Sequence, residues 1–245
     1  MWASPAMGSS LEKARSLYKS GAYDAAITLA RDIETAEALT LAAETMSTKV
    51  MLGFVDNHNK SAIQARKWAE QAVKLTPQSQ EAHIQYALAF GFETRTSSPF
   101  RAWRKKLPEK TYAVIDDIRT AYPEDPRGDA LLGAWHLGII RKAGHKNGKK
   151  WYNASEDAGI EFYETAMQAA PNDIVLAGNY VLIILALDAE KHRERANDIL
   201  ATVSELTPQN AVEIEIKNRL SNLQDKFSDP QDLEETVRLL LDGDY

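Results

Sequence analysis

Residues able to do chemistry are few in this sequence, and none of them forms a catalytic set. The chain has no cysteine, which excludes disulfides, thiol catalysis and cysteine-ligated zinc. His136 lies on a predicted helix, but Ile140 occupies the i+4 position at which a second metal ligand would stand. We interpret His136 as a packed or hydrogen-bonded side chain. We therefore expect no enzymatic activity, no metal site and no cofactor.

Two short stretches concentrate positive charge beside aromatic residues. Residues 92–108 carry a net charge of +4 and residues 141–152 a net charge of +5, whereas the whole chain carries −6. We predict that both are insertions between paired helices and that they emerge at one edge of the fold as a basic ridge. The predicted ridge residues are Arg101, Trp103, Arg104, Lys105, Lys149, Lys150 and Trp151.

A basic ridge with exposed aromatic side chains suits an acidic peptide, an anionic ligand or a phospholipid headgroup. The alternative is that the charges are only solvated and that the aromatic rings pack back onto the helices. Basic and aromatic residues together also bind single-stranded nucleic acid, but the acidic balance of the whole chain argues against that partner.

The elements that must position these residues repeat along the chain. Three segments end alike, with an amphipathic helix tail before Pro77, Pro171 or Pro208, a residue that cannot continue a helix. Two more helix pairs fit if insertions of about 12 and about 14 residues are allowed. No stretch alternates with the period of a strand. The sequence therefore predicts an all-α, right-handed α-solenoid of about five helix pairs.

Start signals support this reading. Asp125-Pro126, Ser98-Pro99 and Asp229-Pro230 each place a capping side chain before a proline. A closing helix over 232–241 sets Leu233, Val237, Leu240 and Leu241 on one face to cover the last repeat. We predict a single domain over residues 10–245 and a disordered segment over residues 1–9.

The spacing resembles that of tetratricopeptide repeats. Residues 46–79 carry Leu52 and Gly53 in the first helix of a pair, followed by Ala65, Ala69, Ala72 and Pro77. Residues 131–137, with Trp151 and Tyr163, are similar to uncharacterised, often exported, proteobacterial tetratricopeptide proteins. More distantly they resemble a transporter-associated periplasmic lipoprotein and the eukaryotic regulators of microtubule dynamics. Asn153 stands where the bacterial pattern has glycine. The resemblance implies an envelope-associated adaptor.

Helical-repeat solenoids bind peptides on the concave face formed by the first helix of each pair. Helical phase alone assigns candidate residues to this face. They are Gln85, Ala89, Ala134, Leu137, Arg141 and Asn179. The alternative is that the C-terminal helix or another subunit fills the groove.

We therefore predict a non-enzymatic scaffold that binds a protein or peptide, with an acidic partner favoured. The alternative is an accessory of a transporter that binds an anionic solute between Trp103, Trp151 and the lysines. Residues 1–6 resemble the end of an export signal, so a periplasmic and a cytoplasmic location both stay open. The longest apolar run, 174–187, is too short to span a membrane. Self-association stays open as well.

Overall fold

The computed structural model describes residues 5–242, and helices account for most of them. Thirteen α-helices and one 3-10 turn follow one another in this range, with no β-strand among them. The prediction of an all-α fold of consecutively packed helices is confirmed. The chain divides into two compact units, one up to Ala102 and one from Trp103 onward. The single domain over residues 10–245 and the right-handed sense of the solenoid stay predictions.

The first unit begins with α1 (Pro5–Lys19), α2 (Tyr23–Ile33), α3 (Ala36–Met51), α4 (His58–Leu75) and α5 (Gln80–Thr96). A short helix, α6 (Pro99–Lys105), continues past the end of this unit. Each helix from α1 to α5 packs against its neighbour in sequence, and α3 also contacts α1 and α5. This two-layer order is the packing expected of helical repeats.

The second unit contains α7 (Leu107–Ala121), α8 (Pro126–Tyr152), α9 (Glu156–Ala169), α10 (Ile174–Leu187), α11 (Ala189–Glu205), α12 (Ala211–Gln224) and α13 (Pro230–Asp242). A 3-10 turn over Asp225–Ser228 joins the last two. Helix α10 contacts both α8 and α12, and we call these three helices the A layer. Helices α9 and α11 lie beside them, while α13 packs chiefly on α10.

The predicted proline starts are confirmed. Prolines begin α6, α8 and α13, and each preceding side chain accepts a hydrogen bond from a backbone N–H of the first turn. Asp125 accepts from Arg127 at 3.0 Å, and Asp229 accepts from Gln231 at the same distance. Proline costs nothing at this position because its missing N–H would have no partner within the helix.

Helices α8 and α9 cross at two glycines. A methyl group added at Gly133 would lie 2.7 Å from the Tyr163 ring and 2.9 Å from the carbonyl oxygen of Gly159. One added at Gly159 would lie 2.5 Å from a methyl carbon of Leu137. Because one of these contacts is to backbone, relief would require the helices to separate. These two glycines therefore allow α8 and α9 to approach each other closely.

The predicted register of residues 46–79 needs correction. Leu52 and Gly53 do not lie inside the first helix of a pair; they end α3, which begins at Ala36. Gly53 has a φ of 71°. Its N–H donates to the Val50 carbonyl at 3.3 Å, and the next N–H donates to Lys49 at 2.8 Å. This is a Schellman helix end, which requires the left-handed conformation that glycine adopts without strain.

Both ends of the chain also differ from expectation. Helix α1 begins at Pro5, so residues 5–9 are helical rather than disordered, while residues 1–4 of that predicted segment lie outside the described residues. The closing helix is preceded by α12, and three of its four predicted inward residues are buried, with Leu240 only half-buried. Between Pro5 and Asp242, no helix is both long and apolar enough to cross a membrane.

Candidate functional site

The first basic stretch is a short helix rather than a loop. Helix α6 contains no buried residue, and Trp103 is 68% exposed. Arg104 and Lys105 are exposed beside it. The helix ends at Lys105, and the next residue, Lys106, adopts a left-handed conformation with a φ of 52° before α7 begins. The Trp103 ring therefore stays largely on the surface instead of packing back into the core.

The second basic stretch folds back on its own helix. Gly144 interrupts α8 with a φ of 75° and a ψ of 161°, which only glycine adopts readily. A methyl group added at Gly148 would lie 2.8 Å from the Ile140 side chain and 3.8 Å from its Cα. Residues eight apart in an unbroken helix are separated by about 12 Å along its axis. Residues 145–152 therefore reverse direction, and we call them the hook.

The base of the hook is fixed by capping interactions. Asn153 ends the hook in a left-handed conformation with a φ of 54°. After glycine, asparagine is the residue that most readily adopts this conformation. The N–H of Ser155 donates to Nδ1 of His136 at 3.2 Å, and the Ser155 hydroxyl accepts from Ala158 at the start of α9.

His136 is a structural residue, as the sequence indicated. It is buried, stacks on the Phe162 ring at 5.7 Å and accepts the Ser155 hydrogen bond. Burial and the nearby Arg119 guanidinium lower the pKa of His136, so its imidazole favours the neutral form that accepts this bond.

The hook and the start of α7 lie close together in the second unit. Burial raises the pKa of Tyr152, and the Glu109 carboxylate in the first turn of α7 raises it further. Helix α7 packs against α8, the helix that ends in the hook.

The exposed side chains of the two stretches are either tryptophan rings or positively charged groups. Trp151 is 61% exposed, and the lysines around it point to solvent. Among residues 5–242, no ion pair involves Lys105, Lys149 or Lys150. We call this set the basic aromatic surface. It consists of Trp103, Arg104, Lys105, Lys149, Lys150 and Trp151.

Arg101 lies apart from this surface. It is half-buried in the first unit, and its guanidinium approaches the Glu93 carboxylate at 3.8 Å. Glu93 is only 3% exposed and also accepts a hydrogen bond from Arg66 at 2.5 Å. The Arg101 guanidinium is therefore partly engaged by a buried carboxylate, unlike Arg104 and Lys105, and its place in the ridge stays a prediction.

Most of the residues predicted to line a concave face are buried or are bonded to other groups of this chain. The side chains of Gln85, Ala89 and Leu137 are buried. Asn179 is half-buried and donates to the carbonyl of Val175 in its own helix. Helical phase assigned these residues to a face but could not show what covers it.

Ala134 and Arg141 are half-buried, and the guanidinium of Arg141 pairs with both carboxylate oxygens of Asp242 in α13. The C-terminal helix thus covers part of the A layer.

A polar cluster around Glu156 was not predicted from the sequence. Glu156, only 6% exposed, accepts hydrogen bonds from Lys191 at 2.5 Å and from His192 at 3.0 Å. His145 at the start of the hook lies 3.4 Å from the other carboxylate oxygen. These residues are far apart in sequence and show no periodic spacing, so only the fold reveals the cluster. No group of metal-ligating residues occurs in the described part of the chain.

No family model matches this chain, and no curated protein matches it significantly.

Proposed function

We propose that this chain is a tetratricopeptide-type scaffold that binds an acidic segment of a partner protein on the basic aromatic surface. The observation that carries the proposal is the pair of exposed tryptophans, Trp103 and Trp151, each flanked by lysines or arginine on a helical support. Tryptophan and arginine are the residues most enriched among binding hot spots. The surrounding positive charge would accelerate the encounter with an acidic partner.

Local rigidity supports a binding role for this surface. A loop would lose conformational entropy when it bound, whereas the hook is already held by its helix, by the Asn153 cap and by His136. The contrast in charge gives a second argument. The surface is basic although the whole chain carries −6, so its charge is a local property and not an average one.

The test is affinity capture from the source organism with three proteins. The first is the wild type, and the second carries Lys105→Glu, Lys149→Glu and Lys150→Glu. The matched control carries the same charge change at three exposed lysines of the first unit, Lys13→Glu, Lys60→Glu and Lys67→Glu. We expect wild type and control to retain a partner that the surface variant loses. Retention should also weaken between about 50 and about 500 mM salt.

Equal capture by all three proteins would contradict the basic aromatic surface as the binding site. If none of them retains a protein, a thermal-shift series with dicarboxylates and phosphate becomes decisive. Stabilisation of the wild type and the control, but not of the surface variant, would establish the alternative in which the two tryptophans and the lysines hold an anionic solute.

A further inference from the structure

The basic aromatic surface consists of two small sets of residues with the same composition. One set closes α6 and contains Trp103, Arg104 and Lys105, which we call the α6 subsite. The other lies near the end of the hook and contains Lys149, Lys150 and Trp151, which we call the hook subsite. All six side chains are exposed. Each subsite thus offers one aromatic ring and two cations, which suits a short acidic cluster with one apolar side chain.

Adjacent residues of α8 hold the chain segments that lead to the two subsites. The indole N–H of Trp135 donates to the carbonyl of Pro108 at 2.9 Å, in the first turn of the helix that follows α6. The next residue, His136, accepts from the N–H of Ser155 at 3.2 Å, where the chain leaves the hook. The rings of Trp135 and His136 also meet edge to face, with their centroids 5.1 Å apart. One turn of α8 therefore anchors both segments.

Buried contacts hold these two anchors in place. Tyr112 of α7 packs edge-on against Trp135 at 4.9 Å, and Phe162 of α9 stacks on His136 at 5.7 Å. The two anchored segments keep their separation unless the packing of α7, α8 and α9 changes. The path through both hydrogen bonds places the Cα atoms of the two exposed tryptophans within about 60 Å of each other. An extended segment of about 20 residues is long enough to join the two subsites.

We propose that the basic aromatic surface is bivalent, and that its partner segment carries two acidic clusters on one chain, one for each subsite. This inference rests on the function proposed above and adds to it the form of the partner. Once the first cluster is bound, binding of the second becomes intramolecular, so the affinity rises although each subsite makes only a few contacts. The surface would therefore select a segment with two acidic clusters over a segment with one.

Two labelled synthetic peptides test the proposal by fluorescence anisotropy with the full chain. The short peptide carries four glutamates around one phenylalanine, and the long peptide joins two such clusters through a flexible Gly-Ser linker of about 20 residues. We expect the wild type to bind the long peptide at least about tenfold more tightly than the short one, with one long peptide on one protein molecule.

Three double variants identify the source of the gain. Arg104→Glu with Lys105→Glu removes the α6 subsite, and Lys149→Glu with Lys150→Glu removes the hook subsite. Each should lose the preference for the long peptide and still bind the short peptide at the remaining subsite. The matched control, Lys60→Glu with Lys67→Glu, makes the same charge change at exposed residues of the first unit and should behave as the wild type.

The failures of the two proposals are distinguishable. If the wild type binds the short peptide but gains less than about tenfold with the long one, the surface binds acidic segments but is not bivalent. Two protein molecules on one long peptide would likewise overturn bivalence, as would complete loss of the short peptide in only one of the two subsite variants. Binding of neither peptide at low salt would overturn the proposed function together with this inference.

Discussion

Each basic stretch carries one side chain that faces a buried glutamate, but the two side chains differ in their chemistry. Helix α6 carries Arg101, which faces Glu93 in the first unit, whereas the hook carries His145, which faces Glu156 in the second unit. Both carboxylates are almost fully buried. A buried carboxylate must be paired and hydrogen-bonded to remain ionised, so the identity of its partners decides how the site responds to its surroundings.

The partners of Glu93 keep their charge at every physiological pH, since Arg66 and Arg101 are guanidinium groups. The partners of Glu156 include the imidazole of His192, and imidazole is the side chain whose ordinary pKa lies nearest to neutral pH. Arg195 lies 3.4 Å from Nδ1 of His192, while Nε2 faces Glu156. This arrangement favours a neutral imidazole that donates from Nε2 and accepts at Nδ1. Of the two buried glutamates, Glu156 is therefore the one whose partners respond to pH.

The largest effect is expected when the strongest partner of Glu93 is removed. Arg66→Ala leaves a buried carboxylate with only the more distant Arg101 guanidinium. The free energy of unfolding should fall by about 3–5 kcal/mol, because an uncompensated buried charge is costly. Urea denaturation measures the loss, and Lys67→Ala, an exposed neighbour, is the control that should change little. A loss no greater than that of the control would contradict the role given to Arg66.

A smaller effect is expected at the second carboxylate. Glu156→Gln keeps an oxygen that can accept from His192 but removes the charge that pairs with Lys191. The side chain of Lys191 is more than half exposed and can return to water. The free energy of unfolding should therefore fall by about 1–2 kcal/mol. Faster hydrogen exchange in residues 145–152 should accompany the loss, and unchanged exchange in the hook would show that Glu156 does not support it.

The free energy of unfolding should also depend on pH through the partners of Glu156. Burial lowers the pKa of His192 although Glu156 opposes the shift. As pH falls from about 7.5 to about 5.5, the unfolded chain gains a proton at this residue before the native protein does, so stability falls. Burial raises the pKa of Glu156, but Lys191 and His192 hold it below its ordinary value, so its contribution is lost only at more acidic pH. His192→Gln should reduce this loss without abolishing it, since the pKa values of His58 and His136 are also lowered. A loss of stability equal to that of the wild type would contradict the assignment.

Local signals in the sequence predicted much of this fold. The proline starts at Pro99, Pro126 and Pro230 follow from rules that act within a few residues. The hook was not predicted, because the sequence marks residues 141–152 only as an insertion between helices, and the backbone angles of Gly144 are what reveal the reversal.

The candidate site was harder to predict than the fold. Charge and aromatic content located Trp103, Trp151 and the lysines, and these remain exposed. The pattern could not distinguish Arg101, which turns toward Glu93, from its neighbours in the same short helix. It also could not pair Arg141 with Asp242, because contacts between distant helices depend on how the repeats stack and not on local spacing.

The smallest effects are expected at Arg101 and His145, the two side chains through which the basic stretches face the buried glutamates. Arg101→Gln should lower the free energy of unfolding by about 0.5 kcal/mol, because its guanidinium is partly shielded from water. His145→Gln should change it less, since that side chain is 70% exposed. Hydrogen exchange then shows which half of the surface each cation supports, with faster exchange in α6 for Arg101→Gln and little change in the hook for His145→Gln. The opposite ranking would mean that the hook depends on His145 more than on the Asn153 cap and His136.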